Sequence, residues 1–226
     1  MPARKRKTMR KARGLNKVEK AQVKRLIDAE IEDKGHVDTI ENTQLFHNKP
    51  FYAQKLLQAL TTGVDDGDQS TTGTGIRAIR IGDQLMLKNI NIRLWLSNKD
   101  DRPNVMYKGV LFWYPSGINA NDAFVYKTQT NKMLDRYNDK QIRIVDQFIV
   151  KSTNNYAVDA NNHEKSYLAS LNKSYKSKKI TYDGLTGIPK GMDLGFALVC
   201  YDAYGTLQTD NIASFAYQTL VTFQDA

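Results

Sequence analysis

The run from Arg80 to Leu96, RIGDQLMLKNINIRLWL, constrains the fold most. Ile90, Ile92, Leu94 and Leu96 alternate with Asn89, Asn91 and Arg93. A period of two over this length predicts a β-strand with one buried face. Leu85 and Leu87 stand in the opposite phase, which predicts a β-bulge near Lys88. Arg80-Ile81-Gly82-Asp83 reads as a turn, with Gly82 where the backbone needs a positive φ.

The chain beyond this run reads as more strands joined by loops. His36–Phe46 is a first strand, and Pro50–Leu60 fits either a short helix or a strand. Thr61–Gly75 is a loop by composition. Val105–Tyr114 is almost continuously apolar, as in a strand covered on both faces. In Gln141–Lys151, Ile142, Ile144, Phe148 and Val150 share one phase and are expected inside. Tyr167–Tyr175 and Lys178–Tyr182 read as two weaker strands, Gly195–Asp202 as a strong one. Ser214–Phe223 closes the chain, with Phe215, Tyr217, Val221 and Phe223 on one face. Pro50, Pro103, Pro115 and Pro189 fall between these runs, as strand interiors require. Strands and helices do not alternate. The expected fold is all-β: a two-sheet antiparallel sandwich of Greek-key or jelly-roll type, with about eight strands. Residues 97–104, 115–122 and 152–163 read as polar loops free of core residues, the last of them facing outward.

Charge divides the chain differently. Residues 1–25 hold Arg4, Lys5, Arg6, Lys7, Arg10, Lys11, Arg13, Lys17, Lys20, Lys24 and Arg25, eleven bases against the single acid Glu19. This segment carries +10, and the other 201 residues carry −1. A near-neutral body behind a concentrated basic arm is the electrostatic layout of a nucleic-acid binder. Residues 1–14 have almost nothing to bury and are expected to be disordered when free. Asn16–Lys34 reads as a helix, opened by an Asn16/Glu19 capping box, with Val23, Leu26, Ile27 and Ile31 as a narrow apolar stripe. Its bases come first and its acids last, against the helix dipole, so a partner outside the helix is needed to explain the order. The expected organisation is an arm over residues 1–34, including the helix, and a shell domain over 35–226.

Little in the sequence points to catalysis. There is no phosphate loop and no nucleophile elbow, and His36, His47 and His163 stand beside no catalytic partner at a motif spacing. The expectation is a protein that is not an enzyme and needs no cofactor. Cys200, the single cysteine, lies in an apolar run and reads as a packed core thiol. Asp65, Asp66 and Asp68 offer oxygen ligands for Ca²⁺, but their spacing is not that of an EF-hand, and a solvated acidic loop is the simpler reading. No run approaches the length of a membrane span, and the basic N-terminus lacks the apolar stretch of a secretory signal. Asn172-Lys173-Ser174 is a glycosylation triplet, read as silent without such a signal. Arg4, Lys5, Arg6 and Lys7 also suit a nuclear import signal.

The order of elements resembles the capsid proteins of small circular single-stranded DNA viruses, in the branch whose capsids are like that of satellite tobacco necrosis virus. The pieces that carry the resemblance are Arg80-Ile81-Gly82-Asp83, LMLKNINIRLWL after it, GVLFWYPSG at 109–117, Lys178-Lys179-Ile180 and GFALVCYD near the C-terminus. The resemblance implies a single jelly roll that assembles into an icosahedral T=1 shell of sixty copies, with the arm turned inward onto the genome. It further implies a virion, passage through the host nucleus, a host import receptor and a cell-surface receptor. Whether the genome is DNA or RNA rests on the resemblance alone, because arm contacts to phosphate do not distinguish them.

Two other classes fit parts of the chain. A monomeric RNA-binding protein with a basic tail, of ribosomal type, would be expected to carry basic patches on its fold as well. A sugar-binding jelly roll leaves the arm unexplained.

Overall fold

The computed structural model describes residues 16–30, 33–61, 80–99, 101–102, 104–151, 166–203 and 207–225. Two units separate, Met1–Glu32 and Asp33–Ala226. The first contains helix α1 (Lys17–Glu30). The second contains the strands β1 (Lys34–Phe46), β2 (Phe51–Ala53), β3 (Gln84–Asn98), β4 (Val105–Pro115), β5 (Val125–Lys127), β6 (Arg136–Tyr137), β7 (Arg143–Val150), β8 (Ser166–Thr181), β9 (Met192–Asp202) and β10 (Asn211–Asp225). A short helix, α2 (Ala120–Phe124), lies between β4 and β5.

Pairing follows one rule: the outermost strands in sequence pair first. β1 pairs with β10, β2 with β9, β3 with β8 and β4 with β7, all antiparallel. This is a long hairpin rolled on itself. Rolling adds the contacts β10–β3 and β9–β4, and produces two four-stranded sheets, β1-β10-β3-β8 and β2-β9-β4-β7. The architecture is the jelly roll expected from the strand pattern.

β3 behaves as its alternation predicts. Ile90, Ile92, Leu94 and Leu96 are wholly buried between the sheets. The register slips at Lys88 against both neighbours, and the bulge returns Leu85 and Leu87 to the core face. The neighbouring strand β10 contributes Phe215, Tyr217, Val221 and Phe223 to the same core. Before β3, Gly82 adopts φ +75°. The Arg80 side chain there is buried at 1% exposure, although the sequence marks it only as a turn residue. Its guanidinium stacks on the Tyr182 ring at 3.7 Å, and its Nε donates to the Leu60 carbonyl at 3.0 Å. A second nitrogen donates to the Gly82 carbonyl, which locks the turn. Buried charge is tolerated because these donors are satisfied.

β4 is covered on both faces, as its apolar run requires. Tyr107, Leu111 and Trp113 enter the main core, and Val110, Phe112 and Tyr114 enter a second cluster. That cluster is closed by Ala120, Ala123 and Phe124 of α2 and by Ile142, with Phe124 4.7 Å from Phe112 between ring centroids. Residues 115–122 are therefore not a loop free of core residues: Ala120 is fully buried. Gly109 is the one small residue in the run. A Cβ there would overlap the ring of Phe148, its cross-strand partner.

Several expectations are corrected. Ile144 is not inside; it is 44% exposed. The β4–β7 register slips between Leu111 and Phe112, leaving Val145 as the extra residue, and Val145 packs on the core instead. The two weak strands at 167–182 are one strand, β8, because continuous pairing with β3 carries it across a bulge at Tyr175–Ser177. The helix expected to Lys34 reaches Glu30, and Lys34 instead pairs with Phe223 and bridges Asp225 at 2.9 Å. Pro50–Leu60 is neither alternative alone: β2 is followed by a turn at Leu56–Leu60. Residues 97–98 belong to β3, and Asn98 is buried, accepting a hydrogen bond from the Tyr107 hydroxyl at 2.8 Å.

The turn after β2 is held by Asp193, whose Oδ1 accepts from the backbone N–H of Leu57 at 2.9 Å and of Leu194 at 2.7 Å. Burial pushes this carboxyl up to about 6, against the pull of those backbone N–H groups. A raised native pKa means the folded chain holds a proton that the unfolded chain has released. Stability from this group therefore falls as pH rises from about 4 to 6, then levels off. Asp193→Asn keeps an acceptor and removes the charge. Its stability relative to the parent should grow across that window by up to about 3 kcal/mol. Denaturant midpoints at stepped pH check this, and parallel curves for the two proteins would contradict it.

Candidate nucleic-acid interface

Helix α1 opens with the capping box read from the sequence. Asn16 Oδ1 accepts from Val18 and Glu19 N–H, each at 2.9 Å, and Glu19 Oε2 accepts from Asn16 N–H at 2.8 Å. Two orphan donors of the first turn and the cap's own N–H are thereby satisfied. Lys17, Lys20 and Lys24 recur at helical spacing and so share one side of the helix backbone. Lys17 and Lys20 are exposed, as are Val18, Val23 and Leu26. Arg25 lies on the same helix. Arg4, Lys5, Arg6, Lys7, Arg10, Lys11 and Arg13 lie outside the described residues, as do Asp65, Asp66, Asp68, His163 and loop 152–163.

The other candidates take structural places. His36 and His47 are buried, and His47 Nδ1 accepts from the Asp202 N–H at 3.3 Å. Cys200 is buried with its Sγ 3.2 Å from the Phe46 carbonyl, and burial pushes its thiol up to about 12, so it stays protonated. Among the described residues no group of three His, Cys, Asp or Glu side chains is placed to hold a metal. No helix among them is long and apolar enough to cross a membrane. A cavity of about 10 Å³ beside Tyr52, Lys108, Asp135 and Tyr137 has room for about one water. Burial lowers the Lys108 pKa there, and its ammonium lies 4.6 Å from the Tyr137 ring centroid. An open hollow of about 410 Å³ is lined by Lys127, Gln129, Leu134 and Arg136.

The two outward sheet faces differ. That of β2-β9-β4-β7 is largely covered by α2 and the residues around it. That of β1-β10-β3-β8 carries Ser, Thr, Asn and Gln together with Arg93, Trp95, Leu168 and Leu220. Trp95 is 51% exposed. The alternation of β3 holds the signal for it, since an aromatic in the phase of Asn91 and Arg93 must point away from the core.

No protein-family model matches the chain, and no curated protein matches it. Among solved structures, similarity is found to the T13 viral particle of IBDV, at 8% identity and a TM-score of 0.28, over 86% of this chain and 36% of that one. An aminopeptidase of a marine-sediment Thaumarchaeota archaeon matches at 8% identity and a TM-score of 0.26, over 84% of this chain and 36% of that one. The unassembled pentamer of Merkel cell polyomavirus VP1 matches at 11% identity and a TM-score of 0.15, over 84% and 76%. The chain thus spans little more than a third of the first two. At scores this low, neither the viral proteins nor the peptidase carries an argument about what this chain does. The jelly roll rests on its own strand pairing.

Proposed function

We propose that this chain is a viral capsid protein. It self-assembles into a closed icosahedral shell and packages a single-stranded nucleic acid genome through its basic arm. The observation that supports this reading is the pairing of a near-neutral jelly-roll body, +2 over residues 33–226, with a basic segment, residues 1–25, of net charge +10. A shell protein needs both: a body that packs against copies of itself without mutual repulsion, and a polycation confined to the side facing the genome. The resemblance noted in the sequence adds a T=1 shell of sixty copies, an ssDNA genome and nuclear import through Arg4, Lys5, Arg6 and Lys7. Sixty arms would bring about 600 positive charges to the interior. Arg4, Lys5, Arg6, Lys7, Arg10, Lys11, Arg13, Lys17, Lys20, Lys24 and Arg25 are the phosphate-binding residues in this reading.

Particle size is the direct test. Purified protein should run at the void volume of a sizing column and show closed, uniform particles in negative stain. Elution as a 25.7 kDa monomer under all salt and nucleic-acid conditions would favour the monomeric RNA-binding reading instead.

A further inference from the structure

The body's near-neutral total hides a local excess of positive charge. β3 and β8, neighbours in one sheet, contain Lys88, Arg93, Lys173, Lys176, Lys178 and Lys179 and no acidic residue. On the other side of β3, the only acid in β10 is Asp225, which is held by Lys34 at 2.9 Å and by the Ile81 N–H at 2.8 Å. Three adjacent strands of a body that is +2 over residues 33–226 therefore carry +5; Arg93 and Lys179 lie in the outward phase, and Lys173 and Lys178 stand opposite the core-facing Ile90 and Leu87.

Trp95 stands on the outward face of the same strands, two residues from Arg93. Its indole Nε1 donates to Ser97 Oγ at 2.9 Å, and Ser97 Oγ meets Ser166 Oγ at 2.9 Å. The ring is thus held in place with half its surface in solvent. Ser170, Asn172 and Ser174 of β8 lie opposite Arg93, Asn91 and Asn89, forming a ladder of hydroxyl and amide groups beside the ring.

We propose that the outward face of β3 and β8 is a second binding site for single-stranded nucleic acid. Trp95 stacks on a base, and Arg93, two residues away on the same face, engages the adjoining phosphate. A fixed, exposed aromatic beside cationic groups is how unpaired strands are held without sequence readout. The amide and hydroxyl ladder can meet base edges. This proposal rests on the reading that the protein encloses a single-stranded genome. A second copy of the chain fits the face less well. Stable protein interfaces bury about 800 Å² per partner around an apolar centre and are depleted in lysine. Here Trp95 and Leu168 are set among Ser and Asn, with the charged Arg93 beside them.

The test uses the full-length protein and two probes of equal length: oligothymidylate and an abasic deoxyribose-phosphate chain. Trp113 is buried, so quenching of tryptophan emission reports Trp95. Oligothymidylate should quench the emission and the abasic chain should not. Trp95→Ala should weaken oligothymidylate binding by about tenfold or more, leave abasic binding and its salt slope unchanged, and melt like the parent. Trp95→Phe should restore most of the loss. Equal binding of oligothymidylate by parent and Trp95→Ala overturns the proposal. So does a Trp95→Ala protein that changes its assembly state but not its affinity, which would make the face a contact between copies. Failure of the packaging reading has a separate signature: the full chain and one lacking residues 1–14 would bind the abasic chain equally.

Discussion

Removal of residues 1–14 should yield particles that are largely empty, with an ultraviolet spectrum dominated by tyrosine and tryptophan rather than by bases. The deletion takes away Arg4, Lys5, Arg6, Lys7, Arg10, Lys11 and Arg13, seven of the arm's eleven bases. It should not unfold the body, because the main core is built from residues between Leu45 and Phe223. Each phosphate contact on a single strand contributes about −0.7 to the log–log salt slope of binding. If about half of the eleven bases engage, the parent slope is roughly −3 to −4 per subunit, and the truncated chain should fall well short of it. Assembly should persist but with a weaker dependence on polyanion, since less charge needs neutralising. Truncated particles that package as much nucleic acid as the parent would transfer genome binding to the body. The β3–β8 face would then be the first place to look.

Ile92→Ala should destabilise the body by about 2–5 kcal/mol, the range for emptying a buried isoleucine site. Ile144→Ala should cost under about 1 kcal/mol, because less contact is lost at a residue 44% exposed. The two residues occupy like positions in two alternating strands, so the contrast tests the β7 bulge and not merely hydrophobicity. Urea unfolding of both variants measures it. Equal losses would place Ile144 in the core and remove the bulge at Val145. Val145→Ala supplies the converse, since that side chain packs on the core and its truncation should cost more than that of Ile144.

Where the sequence is strongly periodic, its local reading survives into the structure. The alternation of β3, the bulge at Lys88, the positive φ of Gly82 and the Asn16/Glu19 cap are all short-range. Each is set by sterics or hydrogen bonding within a few residues, and needs little from the rest of the chain. The concentration of charge in residues 1–25 is likewise a property of the sequence alone.

Tertiary structure decided whatever depends on a distant partner. Ile144 and Phe148 share one phase, yet only Phe148 packs on the main core, because the register against β4 slips between them. Tyr167–Thr181 is one strand because β3 is long enough to pair with all of it. Arg80 is buried because Tyr182, about a hundred residues away, supplies a ring to stack on, and burial beneath the turn after β2 pushes the Asp193 carboxyl up to about 6. The alternation of β3 points Trp95 outward, but whether that face stays open depends on what else the chain lays over it. α2 and Ile142 cover the outward face of the β4 sheet, and the outward face of β3 keeps its indole half in solvent. Periodicity sets which way a side chain points, and long-range packing sets what it meets there.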